Sequence, residues 1–295
     1  MRLIAFYGEE DIRTGRIEGD EAVVGGGPLD PTGHLGEEFA DAIGWDATGP
    51  EERFPLEGLE AAPIILAPTK IVCVGLNYRE HAAEGGREAP ARPLLFAKFS
   101  NTIVGSGDPV VRPEGTHALD LEVELGVVMG RRARRVTRAN AMDHVAGYIV
   151  VNDISARDWQ GNPQALREGE KGDGQWLRAK GSDTFLPIGP MLVTTDEVDP
   201  AAGLRLRSWR IDASGLEHLM QDGTTADLVH DVPALVAFIS SVITLEPGDI
   251  IATGTPSGVG VFRDPPVFLE PGDSVRCEIE GVGSVENPVV EWSEA

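Results

Sequence analysis

The alternation of apolar and polar positions is most informative between Leu119 and Met129, in the run ALDLEVELGVVM that begins at Ala118. Successive side chains of a strand point to opposite faces. Val123, Leu125, Val127 and Met129 then share one face, and Glu122 and Glu124 share the other, about 7 Å apart. Further strand-like runs occur at Arg2–Tyr7, Ala22–Val24, Ile71–Gly75, Leu94–Phe99 and Ala146–Val151, and another begins near Phe185. Leu204–Ile211 and Leu216–Met220 read as a hairpin. A 3.6-residue period links Val232, Leu235, Val236, Ile239, Val242 and Ile243, with Asp231 just ahead and Pro233 in the first turn of an amphipathic helix. Shorter helices are predicted near Glu37–Ile43 and over Thr137–Val145, the latter with Thr137 as N-cap. Two similar pieces, LEPGDIIATG (245–254) and LEPGDSVRCE (269–278), each predict a Pro-Gly turn leading into a strand.

Glycine and proline, 36 and 21 of 295 residues, imply many turns and hence many short strands. The length suits one large domain or a large and a small one. Pro55, Pro63 and Pro68 mark an exit, which predicts a small N-terminal domain over 1–66 and a second domain over 67–295.

The formal net charge of −23 argues against nucleic acid or an anionic membrane as partner. An anionic substrate would need specific Lys or Arg residues to hold it locally. No apolar run reaches the ~18 residues of a membrane helix, and the start MRLIAFYGEE turns acidic too soon for a secretory signal. Cys73 and Cys277 have no metal-binding spacing and read as core thiols. A cytoplasmic protein is expected.

Candidate chemistry gathers in few places. Two carboxylates on an otherwise apolar strand are costly to bury unless a positive group sits between them. A hard divalent cation would serve, since it prefers oxygen ligands. A lone E-x-E can equally be the solvated face of a half-exposed strand. Asp153 falls at the end of Ala146–Val151 and is a possible third carboxylate or a simple turn cap. His81 and Glu84 sit three apart on a helical turn stopped by Gly85–Gly86, the spacing of an imidazole oriented by a carboxylate. The polar stretches Gly85–Arg92 and Gly161–Gly174 read as mobile loops, the first as a lid. Lys98 interrupts an apolar run, and is either a snorkelling edge residue or a charge aimed into a pocket. Lys180 follows the second loop, where it could neutralise a carboxylate or a developing enolate. Arg157 and Gln160 share a helical turn, and the backbone of TGTPSGVG (253–260) could hold an anion.

Taken together, KIVCVGLNYREHAAE, LDLEVELGVVMG, VAGYIVVNDISARDWQ, AKGSDTFLPIGP, QDGTTADLVHDVPALVAFIS and LEPGDIIATGTPSGVG resemble the fumarylacetoacetate hydrolase family, over roughly residues 68–290. The resemblance implies an α+β, β-rich fold, a mixed β-roll or sandwich around the active site, in a homodimer. It implies Glu122, Glu124 and Asp153 as ligands of Mg²⁺ or Mn²⁺, His81 and Glu84 as a water-activating pair, and Lys180 as a site cation. Lys98, Arg157, Gln160 and Thr255 are implied substrate contacts. One branch adds a carboxylate near NYREH, where Glu80 is the nearest acidic residue. Two departures are visible: Asp212-Ala213 replaces a common Asn-Gly turn, and Lys180-Gly181 a common Lys-Ser pair.

The substrates implied are small 2-oxo acids. The first expectation is hydrolysis of a C–C bond in a 2,4-dioxo acid of the acylpyruvate type, through a metal-bound enolate. Decarboxylation of oxaloacetate, or isomerisation of a 2-hydroxyhepta-2,4-diene-1,7-dioate type diacid, would use the same site. A metal-free ligand-binding homologue is the alternative of another class.

Overall fold

Val123–Met129 lies deep inside a ten-stranded sheet, and every one of its residues is buried. The computed structural model describes residues 1–9, 11–27, 37–46 and 48–294. Across the sheet the order is Glu52–Pro55, Glu21–Val24, Ile12–Glu18, Arg2–Tyr7, Met191–Thr194, Val145–Asn152, Val123–Met129, Ile250–Ala252, Ile71–Gly75 and Leu94–Lys98. Neighbours are antiparallel except Ile250–Ala252 and Ile71–Gly75, which run parallel. A five-stranded sheet of Glu217–Thr224, Arg205–Ile211, Ser274–Ile279, Gly283–Glu291 and Val110–Arg112 packs against it. The result is the strand-rich α+β architecture expected.

The face assignment holds. Val123, Leu125, Val127 and Met129 join one core with Leu206, Val275, Cys277 and Val285 of the second sheet. Val128, on the opposite face with Glu124, joins Ile149, Val151, Ile71 and Leu3 in another. Both faces are covered, so the half-exposed strand with a solvated acidic face is overturned: Glu122 and Glu124 are 5% and 1% exposed.

The strand expected over Leu119–Met129 is interrupted. Leu119–Asp120 pairs with Ser155–Ala156, and pairing resumes only at Val123. Side chains supply the missing acceptors. The N–H of Leu121 donates to Asp120 Oδ1 at 2.9 Å, that of Glu122 to Asn152 Oδ1 at 3.1 Å, and that of Val123 to Gln221 Oε1 at 2.9 Å. Buried backbone donors need partners, and side-chain partners let the chain depart from the ladder at Glu122.

The helix after Asp231 runs Val232–Ser240, and Asp231 Oδ1 caps it by accepting the Ala234 N–H at 3.0 Å. It stops short of the predicted stripe, and Val242 beyond it is exposed. Arg138–His144 forms a 3₁₀ helix, with Thr137 and Asn140 in a reciprocal cap. The Asp212-Ala213 turn still closes its hairpin, because Asp212 Oδ1 accepts the N–H groups of Ser214 and Leu216. Arg2–Tyr7 pairs with Met191–Thr194, so the main sheet and one of its cores cross the position near residue 66. No helix among the described residues is long and apolar enough to cross a membrane.

Candidate active site

Three elements bring the carboxylates together. Glu122 lies in the interruption before Val123–Met129, Glu124 is the second residue of that strand, and Asp153 follows Val145–Asn152, its antiparallel neighbour. The Asp153 N–H donates to the Glu122 carbonyl at 2.9 Å and so fixes their registry. One oxygen from each carboxylate lies within 4.8 Å of the other two, and all three side chains are buried.

Lys180, at the end of the short helix Trp176–Lys180, sits among them. Its Nζ donates to Glu122 Oε2 at 2.8 Å and to Asp153 Oδ2 at 2.7 Å. Two of its three N–H bonds are thus engaged. Arg157 donates from Nε to Asp120 Oδ2 at 2.9 Å and from Nη1 to Gln160 Oε1 at 3.2 Å, and its Nη2 forms an ion pair with Glu122 Oε1 at 2.6 Å.

The electrostatics divide the cluster. Burial, the largest effect on Glu122, favours its neutral form, yet Lys180 and Arg157 outweigh it and hold this carboxyl well below the usual range. Burial drives Glu124 well above that range, and the charges of Asp153 and Glu122 push it the same way. The Gly254 N–H at 2.8 Å from Glu124 Oε2 opposes this only in part.

His81 and Glu84 occupy the helical turn Arg79–Glu84. His81 Nδ1 is 2.7 Å from Glu84 Oε1, and Glu84 Oε2 accepts the Gly258 N–H at 2.8 Å. With a carboxylate as partner, Nδ1 is the donor and Nε2 carries the lone pair. His81, Glu122, Glu124, Arg157, Gln160, Lys180 and Thr255 all line one cavity of about 280 Å³. Phe96, Trp176 and Phe262 form its apolar wall.

The structure corrects the reading of Lys98 as a substrate contact or edge residue. Its side chain is buried behind Asp153 and does not line the cavity. Its Nζ donates to the carbonyls of Ile154, Lys180 and Phe185, and lies 2.7 Å from Asp153 Oδ1. The Asp153 carboxylate is thus ion-paired on both oxygens, Oδ1 with Lys98 and Oδ2 with Lys180, each at 2.7 Å. Glu80 is exposed, accepts from Ser257 Oγ at 3.2 Å and is not part of the carboxylate cluster. Thr255 Oγ1 donates to the Val123 carbonyl at 2.9 Å.

Residues not singled out from the sequence complete the frame. Four amides of the glycine-rich loop and the residue after it hold the protein's own carboxylates. Gly254 donates to Glu124 and Gly258 to Glu84, while Gly260 and Val261 donate to Asp120 at 2.8 and 3.1 Å. Asp120 in turn orients Arg157. Buried Gln221 accepts from Val123 and Ser208 and donates to Thr255 Oγ1 and the Pro256 carbonyl, tying the loop to the strand. Asp120 and Gln221 lie in the runs LDLEVELGVVMG and QDGTTADLVHDVPALVAFIS, but their partners are far along the chain.

The donor set fits a hard cation. It is all oxygen, all three carboxylates are buried, and one of them is pressed toward neutrality by burial and like charge. Glu122, Glu124 and Asp153 are the residues that would hold it.

Known proteins resemble this chain over most of its length. The family description "Fumarylacetoacetate (FAA) hydrolase C-terminal" matches residues 70–290. A mitochondrial oxaloacetate tautomerase of Xenopus laevis is 45% identical over 226 residues, 77% of this chain and 67% of that protein. Among solved structures, 2-hydroxyhepta-2,4-diene-1,7-dioate isomerase from Mycobacterium marinum is 36% identical, with a TM-score of 0.73 over 99% of both chains. A fumarylacetoacetate hydrolase from Exiguobacterium antarcticum is 32% identical, with a TM-score of 0.79 over 99% of both.

Proposed function

The chain belongs to the fumarylacetoacetate hydrolase family, and from that premise we propose that it interconverts the keto and enol forms of a 2-oxo acid of the oxaloacetate kind, with Mg²⁺ or Mn²⁺ as cofactor. The observation that carries this reading is His81, oriented by Glu84 and lining the same cavity as Glu122, Glu124 and Lys180. A relative 45% identical is named an oxaloacetate tautomerase, which favours this member of the family's reactions.

The steps assigned to this chain are few. His81 Nε2 takes a proton from C3 of the keto acid, and Glu84 stabilises the imidazolium that results. A proton returned to the C2 oxygen completes the exchange, so only C–H and O–H bonds break and form. Lys180 directs its remaining N–H toward the charge that develops on that oxygen. A hard cation held by Glu122, Glu124 and Asp153 would supply Lewis-acid stabilisation of the same charge. Phe96, Trp176 and Phe262 keep one side of the cavity dry, which strengthens each of these interactions.

Hydrolysis of an acylpyruvate is the second reading. The same His81–Glu84 pair suits activation of a water for attack on C4 of a 2,4-dioxo acid, and a hydrolase from Exiguobacterium antarcticum shares the fold. The deciding assay follows the ultraviolet absorbance of enol-oxaloacetate and, separately, of acetylpyruvate, with Mn²⁺ and with EDTA. Metal-dependent acceleration of ketonisation with acetylpyruvate untouched supports the proposal. Conversion of acetylpyruvate to pyruvate and acetate, with ketonisation at the uncatalysed rate, replaces it with the hydrolase. Neither activity, in protein that binds no Mn²⁺, leaves a ligand-binding homologue.

A further inference from the structure

We propose that Arg87 reads the second carboxylate of the substrate, so that the cavity selects 2-oxo dicarboxylates over 2-oxo monocarboxylates. This rests on the assignment of the cavity to a 2-oxo acid and adds what lies at its other end.

The chain holds Arg87 at the cavity by the way its helix ends. The Gly86 N–H donates to the Ala83 carbonyl and the Arg87 N–H to the Ala82 carbonyl, both at 2.9 Å, with Gly86 in the left-handed region at φ 66°. That pair of reversed bonds closes the turn bearing His81 and Glu84 and sets Arg87 directly beyond it. Arg87 is one of the residues that line the cavity.

Its charge is uncompensated. The other two cations of the lining are already matched, Arg157 by Asp120 and Glu122, and Lys180 by Glu122 and Asp153. Among the described residues, the Arg87 guanidinium forms neither a hydrogen bond nor an ion pair. This occurs in a chain with 48 acidic and 25 basic residues, in which most arginines find a carboxylate. The lining residues nearest in kind, Gln160 and Gln164, are neutral amides, and the acidic ones belong to the buried carboxylate cluster. An exposed guanidinium presents a planar fork that matches a carboxylate with two parallel hydrogen bonds. A substrate with one carboxylate at the buried cluster and a second at its far end uses both.

Binding is tested with stable ligands, 2-oxoglutarate as dicarboxylate and 2-oxobutanoate as monocarboxylate, titrated calorimetrically into the Mn²⁺-loaded wild type, Arg87→Ala and Arg87→Lys. The wild type should bind the dicarboxylate more tightly. Arg87→Ala should cut the ratio of the two affinities by about tenfold, the scale of one solvent-screened charged hydrogen-bond pair, and Arg87→Lys should restore part of it. Higher salt should narrow the wild-type preference. A ratio unchanged in Arg87→Ala, or a wild type without preference, overturns the assignment. Because this readout is binding, loss of the preference in a protein without ketonisation activity would support Arg87 while rejecting the proposed reaction. Ketonisation with an unchanged ratio would do the reverse.

Discussion

The Gly258 N–H donates to Glu84 Oε2 at 2.8 Å, joining two residues 174 positions apart. Glu84 orients His81 with its other oxygen, so the glycine-rich loop sets the direction of the imidazole through Glu84. Gly258 has φ 103°, and a Cβ there would meet the Met220 carbonyl oxygen at 2.4 Å. Gly258→Ala should therefore move the loop, lower stability by about 1–3 kcal/mol and reduce kcat by roughly tenfold, as a misplaced general base does. Urea unfolding and steady-state kinetics check both. A variant with wild-type kcat would show that the loop does not position the dyad.

His81→Ala removes the base itself and should lower kcat/KM for ketonisation by ~10²-fold or more. Glu84→Gln should fall between this variant and the wild type, since an amide can hold the ring but does not stabilise the imidazolium charge. Mn²⁺ affinity should change little in either, because neither side chain belongs to the carboxylate cluster. Rates measured beside Mn²⁺ titrations separate the two effects.

Glu124 links stability to pH in metal-free protein. Its folded-state pKa is raised above that of the unfolded chain, first by burial and then by Asp153 and Glu122. The folded chain thus holds this proton more tightly. The stability this contributes is complete below the unfolded value of about 4.3, and is lost as pH rises through the raised folded value. Glu124→Gln should flatten that decline in EDTA and weaken Mn²⁺ binding at least tenfold. Thermal melts across pH and Mn²⁺ titrations measure the two arms; an unchanged pH slope would remove Glu124 from this role.

Lys98→Met should act on stability and leave substrate selection intact. It strips the carbonyls of Ile154, Lys180 and Phe185 of their donor and leaves the Asp153 carboxylate with one fewer cation. Removing one partner of a buried charge costs about 3–5 kcal/mol. Chemical denaturation should show that loss, and KM in folded enzyme should stay within about threefold of wild type. A large rise in KM with stability preserved would restore Lys98 as a substrate contact.

Hydrophobic periodicity placed a strand over Leu119–Met129, of which Val123–Met129 forms as expected with its two faces correctly divided, since the period of two is a property of the backbone. It also located Asp153 at a strand end and the His81–Glu84 spacing, because both follow from local geometry. The apolar residues interleaved with Glu122 and Glu124 hinted at burial, but a strand covered on both faces cannot be told from a half-exposed one by so short a run alone.

The chain by itself determined which residue types carry the chemistry and which short-range pairs they form: Glu122 with Glu124, His81 with Glu84, Arg157 with Gln160. Tertiary structure alone decided what those residues face. Lys98 found three carbonyls from distant segments in place of a substrate, Asp120 became the link between a loop 140 residues away and Arg157, and Arg87 alone among the lining cations kept an open guanidinium. The physical reason is that a charge's role depends on its partners and its burial, and both are set by contacts between segments that no local pattern encodes.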